Sequence, residues 1–317
     1  MRSWASREWD TERRLNSLAV LLLAVFVAYM MPNAFVLYSA LGALILLLFG
    51  ERVAWALAVL AAPLVTGGFF AWDIAREKAN YDINLFLFDQ LLPAPIGFLT
   101  ESAVKASPVL LALSQIAYQS ITLLLALVIL DGPRSRPLLW KLVIPNFLAG
   151  FYFSILPACG PKYFLLAQTA NAPHNAIPSL HFTWSLLIWW NRKNWSKPVR
   201  VLSGLLLFFT GLATLGFGEH YLVDLVVAVP FALATDSLWP WNWRQVLGGL
   251  AASFLWVAAL RFVLPELLAL GLASWALCLM TAVACAIPKT AIWPVGALCH
   301  PAALPSSTRS MTERVGN

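Results

Sequence analysis

Residues 201–217 read VLSGLLLFFTGLATLGF, and residues 218–224 continue GEHYLVD. The first string is apolar throughout and close to the ~20 residues a helix needs to cross a hydrocarbon core. The second places Glu219, His220 and Asp224 where that run ends. Ionisable groups at the ends of membrane helices are costly and tend to mark a site. His220 also opens the apolar run that follows it, and a second histidine, in Pro178-Ser179-Leu180-His181, opens another upstream.

The rest of the chain has the same character. Its 317 residues are 60% hydrophobic and 11% charged, against about 25% charged in soluble domains. The mean hydropathy is +0.75. The apolar runs are continuous rather than alternating, which argues against a β-barrel. The expected fold is all-α, a polytopic membrane helical bundle. Ten spans can be drawn, at residues 15–31, 34–49, 53–71, 107–130, 138–157, 178–191, 201–217, 220–237, 247–263 and 267–287. The sixth is short for a crossing and calls for extension, tilt, or snorkelling by Arg192 and Lys193. Pro137, Pro178 and Pro288 stand at proposed helix ends.

This pattern divides the chain into four regions. Residues 1–106 form an N-terminal three-helix membrane region with an external segment whose 83–88 core lies amphipathically over the site. Residues 107–237 form a core that carries both histidine motifs, 238–287 two further transmembrane helices, and 288–317 a loosely ordered cytoplasmic tail. Arg2, Arg7, Arg13 and Arg14 precede an uncleaved first helix, since no small-residue cleavage site closes a short apolar core.

Charge placement gives the orientation. With the N-terminus cytoplasmic, only Arg76, Lys78, Lys105, Lys162 and Arg261 of the 21 basic residues fall outside, as the positive-inside rule requires. Both termini are then cytoplasmic, and both histidine motifs face the external or periplasmic side of a bacterial-type inner membrane. The net charge of +6 follows from the same loop bias and does not call for nucleic acid. Cys159, Cys278, Cys285 and Cys299 have no zinc or disulfide-framework spacing. Trp72, Trp140, Trp189, Trp190 and the Trp239–Trp243 cluster read as interfacial anchors.

His220 and Asp224, four apart, share one face if the segment is helical, so the carboxylate can accept from one ring nitrogen. That bond fixes the tautomer and leaves the other nitrogen free to attack. The bland alternative is a buried pair that only holds helices together. Ser179 is a candidate N-cap for the following helix, whose free amides suit a phosphate oxygen. His181 is then placed to donate a proton to a leaving oxygen, or is merely an interfacial histidine. His174, beside Asn171 and Asn175, is a candidate headgroup contact or a solvated loop histidine. Glu219 either holds a substrate hydroxyl or is simply exposed.

Asn175–His181 and Gly218–Asp224 resemble two of the three signature motifs of the type 2 phosphatidic acid phosphatase superfamily. Their Pro-Ser-Leu-His and His-Tyr-X-X-Asp forms look most like the branch of inositol phosphorylceramide synthases, the inositolphosphotransferases. Leu156-Pro157-Ala158-Cys159-Gly160-Pro161-Lys162-Tyr163 is similar to that branch's proline-rich first motif. The resemblance covers about residues 140–237 and implies a six-helix core. It further implies that His220 is the nucleophile forming a phosphohistidine, Asp224 its orienting partner and His181 the general acid, with no metal or other cofactor. The broader superfamily carries a Lys…Arg-Pro first motif and an arginine six residues before the last histidine. Here Thr214 holds that later position, and the first-motif arginine has no counterpart. Lys162, the basic residue left in the motif loop, is the candidate phosphate clamp or a snorkelling lysine. Arg76 and Lys78 are further sources of charge.

Three functions fit these residues. One is a phosphotransferase moving a phosphate-containing headgroup from a lipid phosphoester to a lipid alcohol acceptor. The second is a hydrolase of lipid phosphates or prenyl diphosphates. The third is a non-catalytic membrane transporter or scaffold, for which a midplane charge pair would be expected; the polar residues instead gather at one face.

Overall fold

Proline and glycine fix many of the helix boundaries in a computed structural model that describes residues 18, 34–48, 54, 56–61, 80–131, 137–166, 172–239 and 241–290. The helices are α1 (Ala34–Leu48), α2 (Asp82–Asp89), α3 (Ile96–Ala106), α4 (Pro108–Gln119), α5 (Ile121–Asp131), α6 (Pro137–Ile155), α7 (Pro161–Leu165), α8 (Leu180–Trp190), α9 (Lys197–Gly216), α10 (Leu222–Ser237), α11 (Trp243–Phe262), α12 (Leu264–Leu270) and α13 (Leu272–Thr290). No strand occurs among the described residues. Proline stands in the first turn of α4, α7, α9 and α12, where its missing N–H costs nothing.

α9 and α11, at 20 residues each, are long and apolar enough to cross a membrane. Two bent pairs raise the count to four if each is one span: α3 with α4, turning 109°, and α12 with α13, turning 103°. The protein is therefore an integral membrane protein, with two to four candidate spans among the described residues rather than ten. The expected spans 15–31 and 53–71, Arg76 and Lys78, and the tail beyond residue 290 lie mostly or wholly outside those residues. The expected 107–130 span is interrupted at Ser120. In 267–287, Gly271 adopts φ +57°, a left-handed turn that suits glycine. α13 runs past Pro288 to Thr290.

α8 is where the hydropathy reading departs furthest from the fold. It has 11 residues, ~16 Å at helical rise, and most of its side chains are buried. Its apolar surface meets protein, packing on α6, α9 and α10. Arg192 does not snorkel away. Its guanidinium lies 3.4 Å from the Trp189 ring centroid and donates to the Trp189 carbonyl.

α10 sits centrally, against α6, α8, α11 and α13. Its approach to α11 depends on Gly249, where a Cβ would come 2.5 Å from the Pro230 carbonyl oxygen; small residues permit such close helix contacts. At its C-terminal end a buried polar knot joins three helices. Lys141 Nζ on α6 donates to Asp236 Oδ1 at 2.7 Å, and Asn191, just after α8, bonds both partners. Removing one member of a buried pair strands the other charge, at about 3–5 kcal/mol. Lys141→Ala is expected to cost that much in chemical denaturation of the detergent-solubilised protein; a loss below ~1 kcal/mol would contradict a tightly paired knot.

The segment expected to lie amphipathically over the site is a helix with one buried face, Ile83 and Leu87 remaining exposed on the other. In α2, Leu85 and Phe88 are fully buried, as is Asp82. Trp275 Nε1 of α13 donates to the Phe88 carbonyl at 2.8 Å, and the Phe88 ring packs against Trp256 and Trp275. The alternation Ile83-Asn84-Leu85-Phe86 reads as a surface pattern, yet α11, α12 and α13 supply an apolar seat that hydropathy alone does not reveal.

Candidate active site

The three motif loops are stitched together by backbone hydrogen bonds. Ala176 N–H donates to the Ala158 carbonyl at 2.9 Å, Lys162 N–H to Gly218 at 2.8 Å, and Ser179 N–H to Asp224 at 3.3 Å. Gly160 makes the closest approach possible. It adopts φ +100°, and a Cβ there would lie 2.2 Å from the Glu219 carbonyl oxygen. Residues over 40 positions apart thus form one site at the N-terminal ends of α8 and α10.

His220 and Asp224 do meet, but not through helical spacing. His220 precedes the helix, Tyr221 is the N-cap and Asp224 is the third helical residue. Asp224 Oδ2 accepts from Tyr221 N–H at 2.8 Å, half of a capping box, and lies 3.4 Å from His220 Nδ1. The nearer partner of that nitrogen is the Ala176 carbonyl at 2.7 Å. A carbonyl only accepts, so Nδ1 carries the proton and Nε2 keeps its lone pair. The tautomer expected from an aspartate is thus set first by a backbone oxygen of the second motif. Asp224 Oδ1 is buried with no hydrogen-bond partner among the described residues.

Ser179 occupies the N-cap position of α8 without capping it. Its hydroxyl is buried and unpartnered, a placement that costs ~1–3 kcal/mol. His181, in the first turn of α8, is half-buried and within electrostatic reach of His220. Its ring stacks on Tyr118 of α4 at 3.9 Å between centroids and meets the Trp184 edge at 5.2 Å. The ring is therefore packed between aromatic side chains. The solvated-loop reading of His174 fails, because the residue is buried; it lines neither cavity described below.

Lys162 is half-exposed, and its ammonium lies 3.4 Å from Glu219 Oε1 and 5.2 Å from the Tyr163 ring centroid. Burial pushes the Tyr163 phenol above its ordinary range, and Glu219 and Cys159 add to this. Thr214 is fully buried, its hydroxyl donates to the Gly211 carbonyl, and its own carbonyl accepts from His220 N–H. The position of the superfamily arginine thus holds a scaffold contact to the histidine instead of a cation.

Two cavities adjoin the site. The wider, about 970 Å³, is lined by Glu101, Lys105, Gln115, Tyr118, Lys162 and Glu219 together with apolar residues of α3, α4 and α7. Lys105 and Glu101 are paired there. The smaller, about 30 Å³, touches His220, Tyr221, Leu222, Asp89 and Phe86. Asp89 accepts from Leu222 N–H at 2.7 Å and Val223 N–H at 3.2 Å. Burial nonetheless pushes its carboxyl up to about 7, with Asp224 adding to the shift. Among the described residues no cluster of three His, Cys, Asp or Glu side chains is arranged to hold a metal.

Residues 83–238 match a family model described as the PAP2 superfamily. That segment is similar to the PAP2 superfamily, the type 2 phosphatidic acid phosphatases. The chain is therefore an enzyme of the phosphatase and phosphotransferase type, acting on lipid phosphates in membranes. No curated protein and no solved structure matches it. The PAP2 region begins at Ile83, so it takes in α2, α3 and α4 ahead of the quoted motifs. Asp82, Asp89, Tyr118 and Glu101 were not among the sequence candidates. The Asp82-x6-Asp89 spacing on a short apolar helix was the available signal for the first two.

Proposed function

We propose that the protein is a lipid phosphotransferase of the inositolphosphotransferase-like branch, working through a phosphohistidine on His220. The observation that carries this reading is the 2.7 Å bond from Nδ1 to the Ala176 carbonyl, which leaves Nε2 as a free nucleophile at the meeting point of the three motifs. His220 Nε2 attacks phosphorus; an N–P bond forms and the P–O bond to the donor lipid's alcohol breaks. That alcohol leaves with the proton of His181. The acceptor hydroxyl then gives its proton to His181 while its oxygen attacks phosphorus, and the N–P bond breaks. Asp224 stabilises the imidazole cation between the steps. Lys162 releases Glu219 to balance phosphoryl charge, the buried His174 supports the loop of the second motif from behind rather than touching the headgroup, and the wide cavity admits the lipid. The loop-charge asymmetry supports an external or periplasmic site with both termini cytoplasmic.

The Ser179 hydroxyl, buried with no partner, suits a phosphate oxygen. Ser179→Ala is expected to lower kcat/KM by about 10–100-fold. The same change removes an unpaired buried hydroxyl and should leave stability unchanged or slightly raised. Loss of stability at full activity would reverse this assignment.

A second reading, hydrolysis, is favoured by the small cavity, whose ~30 Å³ admits water and which touches His220. Purified protein given a panel of phospholipid donors, with and without lipid alcohols, separates the two by mass spectrometry. A new phosphodiester lipid is the expected product. Inorganic phosphate as the sole product selects the hydrolase.

A further inference from the structure

We propose that α2 is the positioning element of the active site, its two terminal aspartates holding the first-motif loop and the His220 loop in register. The proposal rests on the phosphotransfer reading for its kinetic consequence, though not for its structural one. Asp82 and Asp89 are seven residues apart, two helical turns, and so project from nearly the same face. Asp82 is fully buried. Its carboxylate accepts from Cys159 N–H at 3.1 and 3.0 Å, from Gly160 N–H at 2.8 Å and from the Tyr221 phenol at 3.1 Å. Tyr81 N–H adds a bond to the Pro157 carbonyl at 2.8 Å. Asp89 takes the first-turn amides of α10, immediately after His220. A helix N-terminus attracts anions, and here the chain supplies its own.

The far side of α2 explains what the C-terminal helices do. Asn84 Nδ2 donates to the Leu260 carbonyl of α11 at 2.7 Å, and Trp275 of α13 holds the Phe88 carbonyl. Both helices lie beyond residue 238, where the PAP2 match ends. The site's register therefore depends on helices outside the family segment, relayed through α2. The groups facing Asp89 are Asp224 and Tyr221 of the α10 start, Cys278 of α13, and His220 and Glu101 around the shared cavity.

An amide in place of either carboxylate keeps the volume but removes the charge and one acceptor oxygen. Small misplacements of reacting groups cost up to roughly 100-fold in rate. Asp82→Asn and Asp89→Asn in the full chain are each expected to lower kcat about 10–100-fold with KM within about threefold. The probe is phosphatidic acid in mixed micelles, or whichever donor of the panel wild type turns over. Hydrogen exchange supplies an independent readout. Residues 157–161 should exchange faster in Asp82→Asn, and residues 220–224 in Asp89→Asn. Ser253→Ala, which loses the 2.8 Å contact with Tyr152 between α6 and α11, controls for general destabilisation and should change neither loop. Wild-type exchange at both loops in the aspartate variants overturns the proposal, as does unaltered kcat beside an active wild type. Absence of wild-type turnover on every donor would overturn the phosphotransfer reading instead, while exchange still decides the clamp.

Discussion

His220→Ala is expected to lose turnover by at least about 10⁴-fold, the scale on which removing a nucleophile acts, and to remain folded. The imidazole Nδ1 bonds a carbonyl of the neighbouring loop and lies 3.4 Å from Asp224; leaving that buried carbonyl unpaired costs about 1–3 kcal/mol. The motif loops keep their backbone stitching and both aspartate attachments. A lowered but cooperative melting transition beside abolished headgroup transfer is the predicted pair of results. Full turnover by the purified variant would remove His220 from the mechanism.

His181→Ala should have the next largest effect, and one that depends on the substrate. A general acid contributes about 10²–10⁴-fold when the departing alkoxide is strongly basic. A lipid alcohol is such a leaving group; an aryl phosphate, with its acidic phenol, needs little protonation. The deficit should therefore be large with phospholipid and should shrink with para-nitrophenyl phosphate. An equal deficit with both would show that the ring matters for packing, through its stack on Tyr118, rather than for proton transfer.

The sequence exposed the reaction centre more fully than the frame around it. Pro178–His181 and Gly218–Asp224 were legible because chemistry restricts residue type at close spacing, and the structure brings them together. How they meet was not legible. Four-residue spacing suggested a shared helical face for His220 and Asp224, whereas a helix start places them and a backbone carbonyl 44 positions away holds the ring. Ser179 looked like a cap and is an unpartnered hydroxyl. An apolar run meets lipid in some places and protein in others. α8 is apolar because helices surround it, and the runs 107–130 and 267–287, which read as continuous, break at Ser120 between α4 and α5 and at Gly271 between α12 and α13. Asp82 and Asp89 flank the 83–88 segment. Their partners are backbone amides 77 and 133 positions away, and backbone donors carry no signature in residue type.

The proposed reaction turns on a covalent bond between phosphorus and His220. It is tested most directly by quenching the working enzyme in alkali, digesting it, and locating phosphorus-bearing adducts by mass spectrometry. An acid-labile, alkali-stable adduct is expected on the peptide carrying residues 218–224 and absent from His220→Ala. Undiminished turnover with no such adduct, or an adduct on His181 instead, would contradict it.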